Sequence, residues 1–139
     1  MQKNLLTTIF FLLVVGNIFS QSNSPYDDIV KIAERENELC PIDSQGTKLT
    51  RVYLEEIYYT VVGEVENIKT FRVLRDRKKA IKKGMISQLK VINDSDFMDL
   101  ANLLIICNME IRYIYVYKPK GWETDIILTK KDLKKILKH

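Results

Sequence analysis

Histidine and cysteine are scarce in this 139-residue chain, which has one histidine and two cysteines. The histidine is the last residue, His139, so no cysteine or serine nucleophile has a histidine base on a fixed element. The chain also lacks a zinc-ligand cluster, a glycine-rich phosphate loop, a serine elbow and a calcium loop. We therefore predict a protein that is not an enzyme and that holds no metal or cofactor.

A hydrophobic run long enough to cross a bilayer is also missing, because the apolar stretch 5–15 is shorter than the roughly 20 residues required. This stretch follows one basic residue and precedes a polar run, which is the layout of a secretory signal peptide. We predict that residues 1–20 are the signal and that cleavage falls between Ser20 and Gln21. No cysteine stands at that point for a lipid anchor, so the mature domain, 21–139, is expected to be periplasmic or secreted.

The two cysteines, Cys40 and Cys107, form an even set in an exported chain, which favours a disulfide bond over free thiols. Closing a loop of this length would restrict the unfolded chain by about 4 kcal/mol in the chain-entropy model. Two buried free cysteines and a catalytic thiol are the alternatives.

Charge is unevenly distributed along the chain, although the net charge is only +4. Residues 21–68 contain 4 basic and 10 acidic side chains, residues 69–90 contain 9 and 1, and residues 91–139 contain 8 and 7. One strongly basic element thus lies in an acidic or neutral background, a pattern that can mark an anion-binding surface.

The hydrophobic periodicity predicts an α+β domain with a four-stranded, mainly antiparallel sheet and helices packed on one face. The expected order is α-ββ-αα-ββ-α. Capping and turn residues place the elements as follows: a helix from Ser24-Pro25 to before Cys40-Pro41, strands at 47–54 and 57–66, a helix from Thr70 to Ile92, a helix from Phe97 to Cys107, strands at 111–118 and 122–128, and a last helix capped by Thr129 and Asp132. Gly84 could kink the basic helix or divide it in two.

The basic helix is the first candidate binding element. Six side chains share about a third of its circumference, opposite the apolar stripe: Arg72, Arg75, Lys79, Lys82, Lys83 and Lys90. They could bind an acidic protein or glycan, or they could simply be the solvated face of an amphipathic helix. Nucleic acid is not an expected partner, because the chain is exported and no aromatic residues interleave the basic positions.

The aromatic strands are the second candidate. Tyr113, Tyr115 and Tyr117 alternate along one strand, with Trp122 on the next. They could form an exposed platform for a sugar or peptide, or they could be cross-strand packing. Which face the helices cover decides between the two.

Several short motifs resemble a group of small exported proteins from Bacteroidetes-type bacteria. They are Asn37-Glu38-Leu39-Cys40-Pro41, Thr47-Lys48-Leu49-Thr50-Arg51-Val52, and Leu104-Ile105-Ile106-Cys107-Asn108-Met109 leading into Tyr113-Ile114-Tyr115. The resemblance covers most of residues 25–133. It implies that Cys40 and Cys107 belong to a shared framework and that the tyrosine strand is architectural, but it brings no activity.

The function predicted from the sequence is that of an exported, non-enzymatic binding module that engages an anionic partner through the basic helix. One alternative is an inhibitor or immunity-type protein that acts on a partner enzyme through the hairpin tip at 118–122. Another is a hydrolase that uses one of the carboxylate pairs, such as Glu64 and Glu66. The oligomeric state is not predicted.

Overall fold

The computed structural model describes residues 24–44 and 46–138. The proposed signal segment, its cleavage point at Ser20 and Gln21, and the terminal His139 lie outside the described residues.

Five α-helices and five β-strands occur in the described part of the chain. The helices are α1 (Pro25–Leu39), α2 (Ile68–Asp76), α3 (Lys78–Ile92), α4 (Ser95–Ile106) and α5 (Lys130–Leu137). The strands are β1 (Ile42–Ser44), β2 (Thr47–Glu55), β3 (Tyr58–Val65), β4 (Glu110–Tyr117) and β5 (Trp122–Leu128). A 3₁₀ turn, Lys118–Lys120, joins β4 to β5.

The strands form one sheet in the order β1-β2-β3-β4-β5, in which β3 and β4 are parallel and the other neighbours are antiparallel. The predicted α+β class is confirmed, but the sheet has one more strand and is mixed. The parallel pair arises because three helices connect β3 to β4 and return the chain in the same direction. The extra strand, β1, has three residues, too few to show a periodic pattern.

Capping side chains begin three of the helices where the sequence indicates. The Ser24 hydroxyl accepts a hydrogen bond from the Asp27 amide at 3.1 Å at the start of α1, and the Asp94 carboxylate accepts one from the Phe97 amide at 2.9 Å at the start of α4. Thr129 opens α5 with a capping box. These bonds satisfy amides that have no partner inside the helix, which is why the chain turns helical at these points.

The predicted long basic helix is divided, but at Arg77 and not at Gly84. Arg77 has φ −121° and ψ 40°, so it ends α2 and precedes α3, whereas Gly84 lies inside α3. The apolar stripe continues through the break with five buried side chains: Phe71, Leu74, Ile81, Met85 and Leu89. No glycine or proline occurs at the break, so tertiary packing decides where the helix is divided.

The core lies between the helices and one face of the sheet. On that face, Tyr59, Val61, Tyr113 and Tyr115 are buried in the same hydrophobic cluster as side chains from every helix. The opposite face carries the alternate residues of the same strands, which include Arg112. The predicted arrangement, with the described helices on one face, is therefore observed.

The predicted disulfide bond is absent, because Cys40 and Cys107 are both free thiols. The Cys40 thiol instead donates a hydrogen bond to the backbone carbonyl of Glu36, in the last turn of α1, at 3.3 Å. Cys107 follows the end of α4.

Candidate anion-binding surface

The helical layer has a defined order across the sheet. Helix α1 packs on β2 and on α4, α4 packs on α5, α5 packs on α3, and α3 packs on β5. Each of these helices therefore has fixed neighbours, so the side-chain charges of adjacent helices contribute to one local electrostatic potential.

Charge is separated across this layer. Helices α1 and α4 together contain 7 acidic and 2 basic side chains, whereas α3 and α5 together contain 9 lysines and 1 aspartate. One side of the layer is acidic and the other strongly basic. A concentration of positive side chains creates a positive electrostatic potential, and this potential attracts anions.

The contact between the two basic helices is built on Lys82 and Asp132. The Lys82 ammonium lies 2.8 Å from Asp132 Oδ2, and Asp132 is 7% exposed. Burial alone would raise the pKa of Asp132, but hydrogen bonds from Lys82 and Thr129 overcome this and hold it below its usual value. The carboxylate therefore stays ionised, and Lys82 serves the helix contact.

The six basic residues predicted to share one stripe are distributed over two helices. Arg72 and Arg75 lie on α2, and the other four lie on α3. Arg75 is paired with Asp76 at 2.8 Å, and Lys82 with Asp132. The predicted continuous helix is therefore divided within this set at Arg77, with two of the six residues before the break and four after it.

The sequence reading missed the lysines of the C-terminal helix. Together with Lys79 and Lys83 of α3, the exposed lysines of α5 and its end form what we call the lysine surface: Lys79, Lys83, Lys131, Lys134, Lys135 and Lys138. The repeated Lys-Lys spacing in residues 130–135 was the available signal, but only the packing of α5 on α3 brings together the two helices that carry these lysines.

The helices cover the face of the sheet that carries Tyr113 and Tyr115, so these tyrosines do not form the exposed platform that the sequence allowed. Tyr113 and Tyr115 are each 1% exposed, because their face of the sheet is the covered one. Tyr117 is half-buried, and Trp122 is 38% exposed. Their rings pack on Phe71, with all three pairs of ring centroids 6.0 to 6.1 Å apart. These aromatic residues mainly close one end of the core.

Other tyrosines, Tyr53 and Tyr58, are partly exposed on the face opposite the core. The guanidinium of Arg51 lies 4.5 Å from the ring centre of Tyr53, and that of Arg112 lies 5.8 Å from the ring centre of Tyr58. Arg112 also contacts Asp125 at 2.9 Å and Glu55 at 3.9 Å. On this face, Arg51 and Arg112 thus each pack on a partly exposed tyrosine.

No protein-family model matches the chain, and no curated protein matches it either. A solved structure, that of the "putative secreted protein" PA3611 from Pseudomonas aeruginosa, is similar, with a TM-score of 0.61 and 8% sequence identity. The match covers 82% of this chain and 99% of that one. At this identity the likeness shows the α+β fold alone.

Two further properties concern residues 24–44 and 46–138 only. None of the helices in this part combines the length and the apolar content needed to cross a bilayer. The same residues contain no group of three or more histidine, cysteine, aspartate or glutamate side chains placed to bind a metal ion.

Proposed function

We propose that this protein is an exported, non-enzymatic binding module that holds an anionic macromolecule on its lysine surface. The observation that carries the proposal is the contact between α3 and α5, which joins nine lysines and one aspartate on neighbouring helices. Folding places these like charges side by side at an electrostatic cost, and an anionic partner removes that cost on binding.

Charge reversal on the lysine surface tests the proposal. The test variant replaces two lysines on each helix: Lys79→Glu, Lys83→Glu, Lys131→Glu and Lys135→Glu. These side chains are exposed and none takes part in the Lys82 to Asp132 pair, so the fold is expected to persist. The protein should bind a sulfated-glycan matrix and an acidic protein matrix, and the variant should elute at much lower salt.

A matched control separates a binding surface from net charge. It carries the same change of charge at four exposed lysines elsewhere: Lys31→Glu, Lys69→Glu, Lys118→Glu and Lys120→Glu. If the lysine surface binds the anion, this control retains more affinity than the test variant. Equal elution of the two variants would show that the matrix responds only to net charge, and the proposal would be wrong.

Export is part of the proposal, and two observations support it. The N-terminal sequence has the layout of a signal peptide, and the structurally similar Pseudomonas protein is described as secreted. The resemblance to small exported proteins remains a prediction. Expression of the full chain in a bacterium should yield a periplasmic or secreted product whose N-terminus is Gln21. A cytoplasmic product that retains Met1 would contradict export.

The inhibitor alternative has one observation in its favour. Trp122 is 38% exposed at the hairpin tip, where Lys118 and Lys120 are also exposed. Tryptophan is often an anchor in protein interfaces. This alternative requires a partner enzyme whose binding is lost on Trp122→Ala while the variant remains folded.

The hydrolase alternative gains no comparable support. The carboxylates Glu123 and Asp125 both line one surface cavity, but Asp125 accepts hydrogen bonds from Arg112 at 2.9 Å and from Lys78 at 3.4 Å. Those bonds engage both carboxylate oxygens of Asp125 within the protein and hold the group in place, so it is not presented to a substrate.

A further inference from the structure

The outer edge of the sheet at β5 is the starting point. Strand β5 (Trp122–Leu128) is the last strand in the sheet order and pairs with β4 on its inner side. No described strand pairs with its other side. An unpaired edge presents backbone amides and carbonyls that another extended chain can use.

Two adjoining cavities follow this edge. One, of about 320 Å³, is lined by Glu123, Thr124 and Asp125 of β5 and extends over β4 to Arg112 and Ile114. The other, of about 260 Å³, is lined on the strand by Asp125, Ile126 and Ile127. Successive side chains of a strand point to opposite faces, so a cavity lined by three consecutive residues reaches the backbone edge. The two cavities share Lys78 and Asp125, and we call the space along residues 123–127 the edge groove.

Five cationic side chains line the cavities: Arg75 of α2, Lys78, Lys79 and Lys82 of α3, and Arg112 of β4. Arg75, Lys82 and Arg112 are paired with Asp76, Asp132 and Asp125. Lys78 and Lys79 are therefore the lining cations on which an acidic ligand would depend. The groove combines an unpaired strand edge with these two lysines.

Lys78 is the cationic side chain that lines both cavities, and its ammonium lies 3.4 Å from Asp125 Oδ1. The side chains of Lys78 and Asp125 are 45% and 30% exposed, so the pair is weak and an incoming carboxylate can exchange for it. Arg112 keeps its own contact of 2.9 Å with Asp125, which leaves that aspartate neutralised after the exchange.

We propose that the edge groove takes an extended acidic segment of a partner protein as an added strand beside β5. Main-chain hydrogen bonds to the β5 edge would supply affinity, and carboxylates of the segment would contact Lys78 and Lys79. This inference rests on the proposed function and deepens it, because it identifies the anionic partner as a protein and places one extended segment of it beside the lysine surface, which meets the groove at Lys79.

A peptide of defined chemistry tests the inference. The probe is a fluorescent ten-residue peptide of alternating glutamate and valine, and the measurement is fluorescence anisotropy with the mature domain. Two derivatives carry N-methyl groups on all glutamates or on all valines. In an extended strand the amides of alternate residues point to opposite edges, so one derivative loses its bonds to β5 and the other keeps them.

We expect the parent peptide and one derivative to bind with similar affinity and the other derivative to bind at least about ten-fold more weakly. Lys78→Glu should weaken peptide binding by a comparable factor, whereas Lys118→Glu, which makes the same charge change on the turn before β5, should not. Amide hydrogen exchange in residues 122–128 should slow when the peptide is added.

Three results would overturn the inference. The first is no binding at peptide concentrations up to about 1 mM. The second is equal affinity of the two N-methylated derivatives. The third is binding of an anionic oligosaccharide that is weakened by Lys78→Glu as much as peptide binding is, together with equal binding of the two N-methylated peptides. The groove would then bind anions without pairing to the strand edge. The proposed function stands or falls separately, because Lys78 is not part of the lysine surface.

Discussion

The Lys82 ammonium and the Asp132 carboxylate, 2.8 Å apart, join α3 to the first turn of α5. The same carboxylate oxygen, Asp132 Oδ2, accepts hydrogen bonds from the Thr129 amide at 2.8 Å and the Thr129 hydroxyl at 2.9 Å. One buried oxygen therefore caps α5 and holds it against α3, so loss of this contact should disturb the helix packing on which the lysine surface depends.

Replacing Asp132 by alanine should lower the free energy of unfolding by about 2 to 3 kcal/mol, because the cap and the ion pair are lost together. Lys82→Ala should cost about 1 kcal/mol, since it leaves the cap intact. Urea unfolding of the two single variants and of the double variant measures the coupling. Additive losses would contradict a direct pair.

We expect the Asp132 carboxylate to make the free energy of unfolding depend on pH in the acidic range. The pKa of Asp132 is lower in the folded protein than its ordinary value of 3.8, so its stabilising contribution is present above that value and is lost as the pH falls through the folded pKa. Asp132→Asn should therefore be less stable than the natural protein at pH 7, and the difference should shrink below about pH 4. Urea unfolding across this range is the measurement. A constant difference would show that the charge of Asp132 contributes nothing.

Glu36 predicts a pH dependence of the opposite sign. It is 2% exposed, and burial, with a smaller effect of Asp96, raises its pKa from 4.5 to about 7. A carboxyl whose folded pKa is raised favours folding below its unfolded pKa, and that contribution is lost as the pH rises through 7.

Glu36→Gln should therefore raise the free energy of unfolding at pH 8 by roughly 1 to 3 kcal/mol and have little effect at pH 4. Unfolding by urea at several pH values measures both. Glu38→Gln, an exposed change on the same helix, is the control. A gain for Glu36→Gln that is equal at pH 4 and pH 8 would rule out titration as its cause.

The free thiols predict the covalent state of the exported protein. Burial raises the pKa of Cys40 and Cys107, with a smaller effect of Glu36 on Cys40, so both should be neutral and slow to alkylate at neutral pH. After unfolding in urea without reductant, mass spectrometry should find two alkylated cysteines. A mass about 2 Da lower and no alkylation would instead show the disulfide predicted from the sequence.

The aromatic cluster predicts a fluorescence change. Phe71 is 1% exposed and packs on Tyr117 and on Trp122, which is the single tryptophan of the chain. Phe71→Ala should cost about 3 to 5 kcal/mol and shift the Trp122 emission to longer wavelength, because water reaches the indole. Tyr26→Ala, at an exposed position away from the cluster, is the matched control. An unchanged emission spectrum in folded Phe71→Ala would contradict the contact.

Local sequence signals located most element boundaries. Ser24, Asp94 and Thr129 begin helices because each offers a side-chain oxygen to unpaired amides at the helix start, and this chemistry acts within four residues. The break at Arg77 has no such signal. It coincides with a change of tertiary partners, since α2 packs on β3, β4 and β5 whereas α3 packs on α5 and β5, and the local sequence does not contain these contacts.

The sequence by itself determined most of the helical segments, the longer strands and the basic charge of residues 69–90, because these depend on residue type and short spacing. Only the tertiary structure decided that Tyr113 and Tyr115 are buried, that Cys40 and Cys107 are free thiols, and that α5 packs on α3. The physical reason is that each of these outcomes depends on contacts between residues distant in the chain. Hydrophobic periodicity and composition indicate which face of a helix or strand is apolar, but they do not indicate which other element packs on that face.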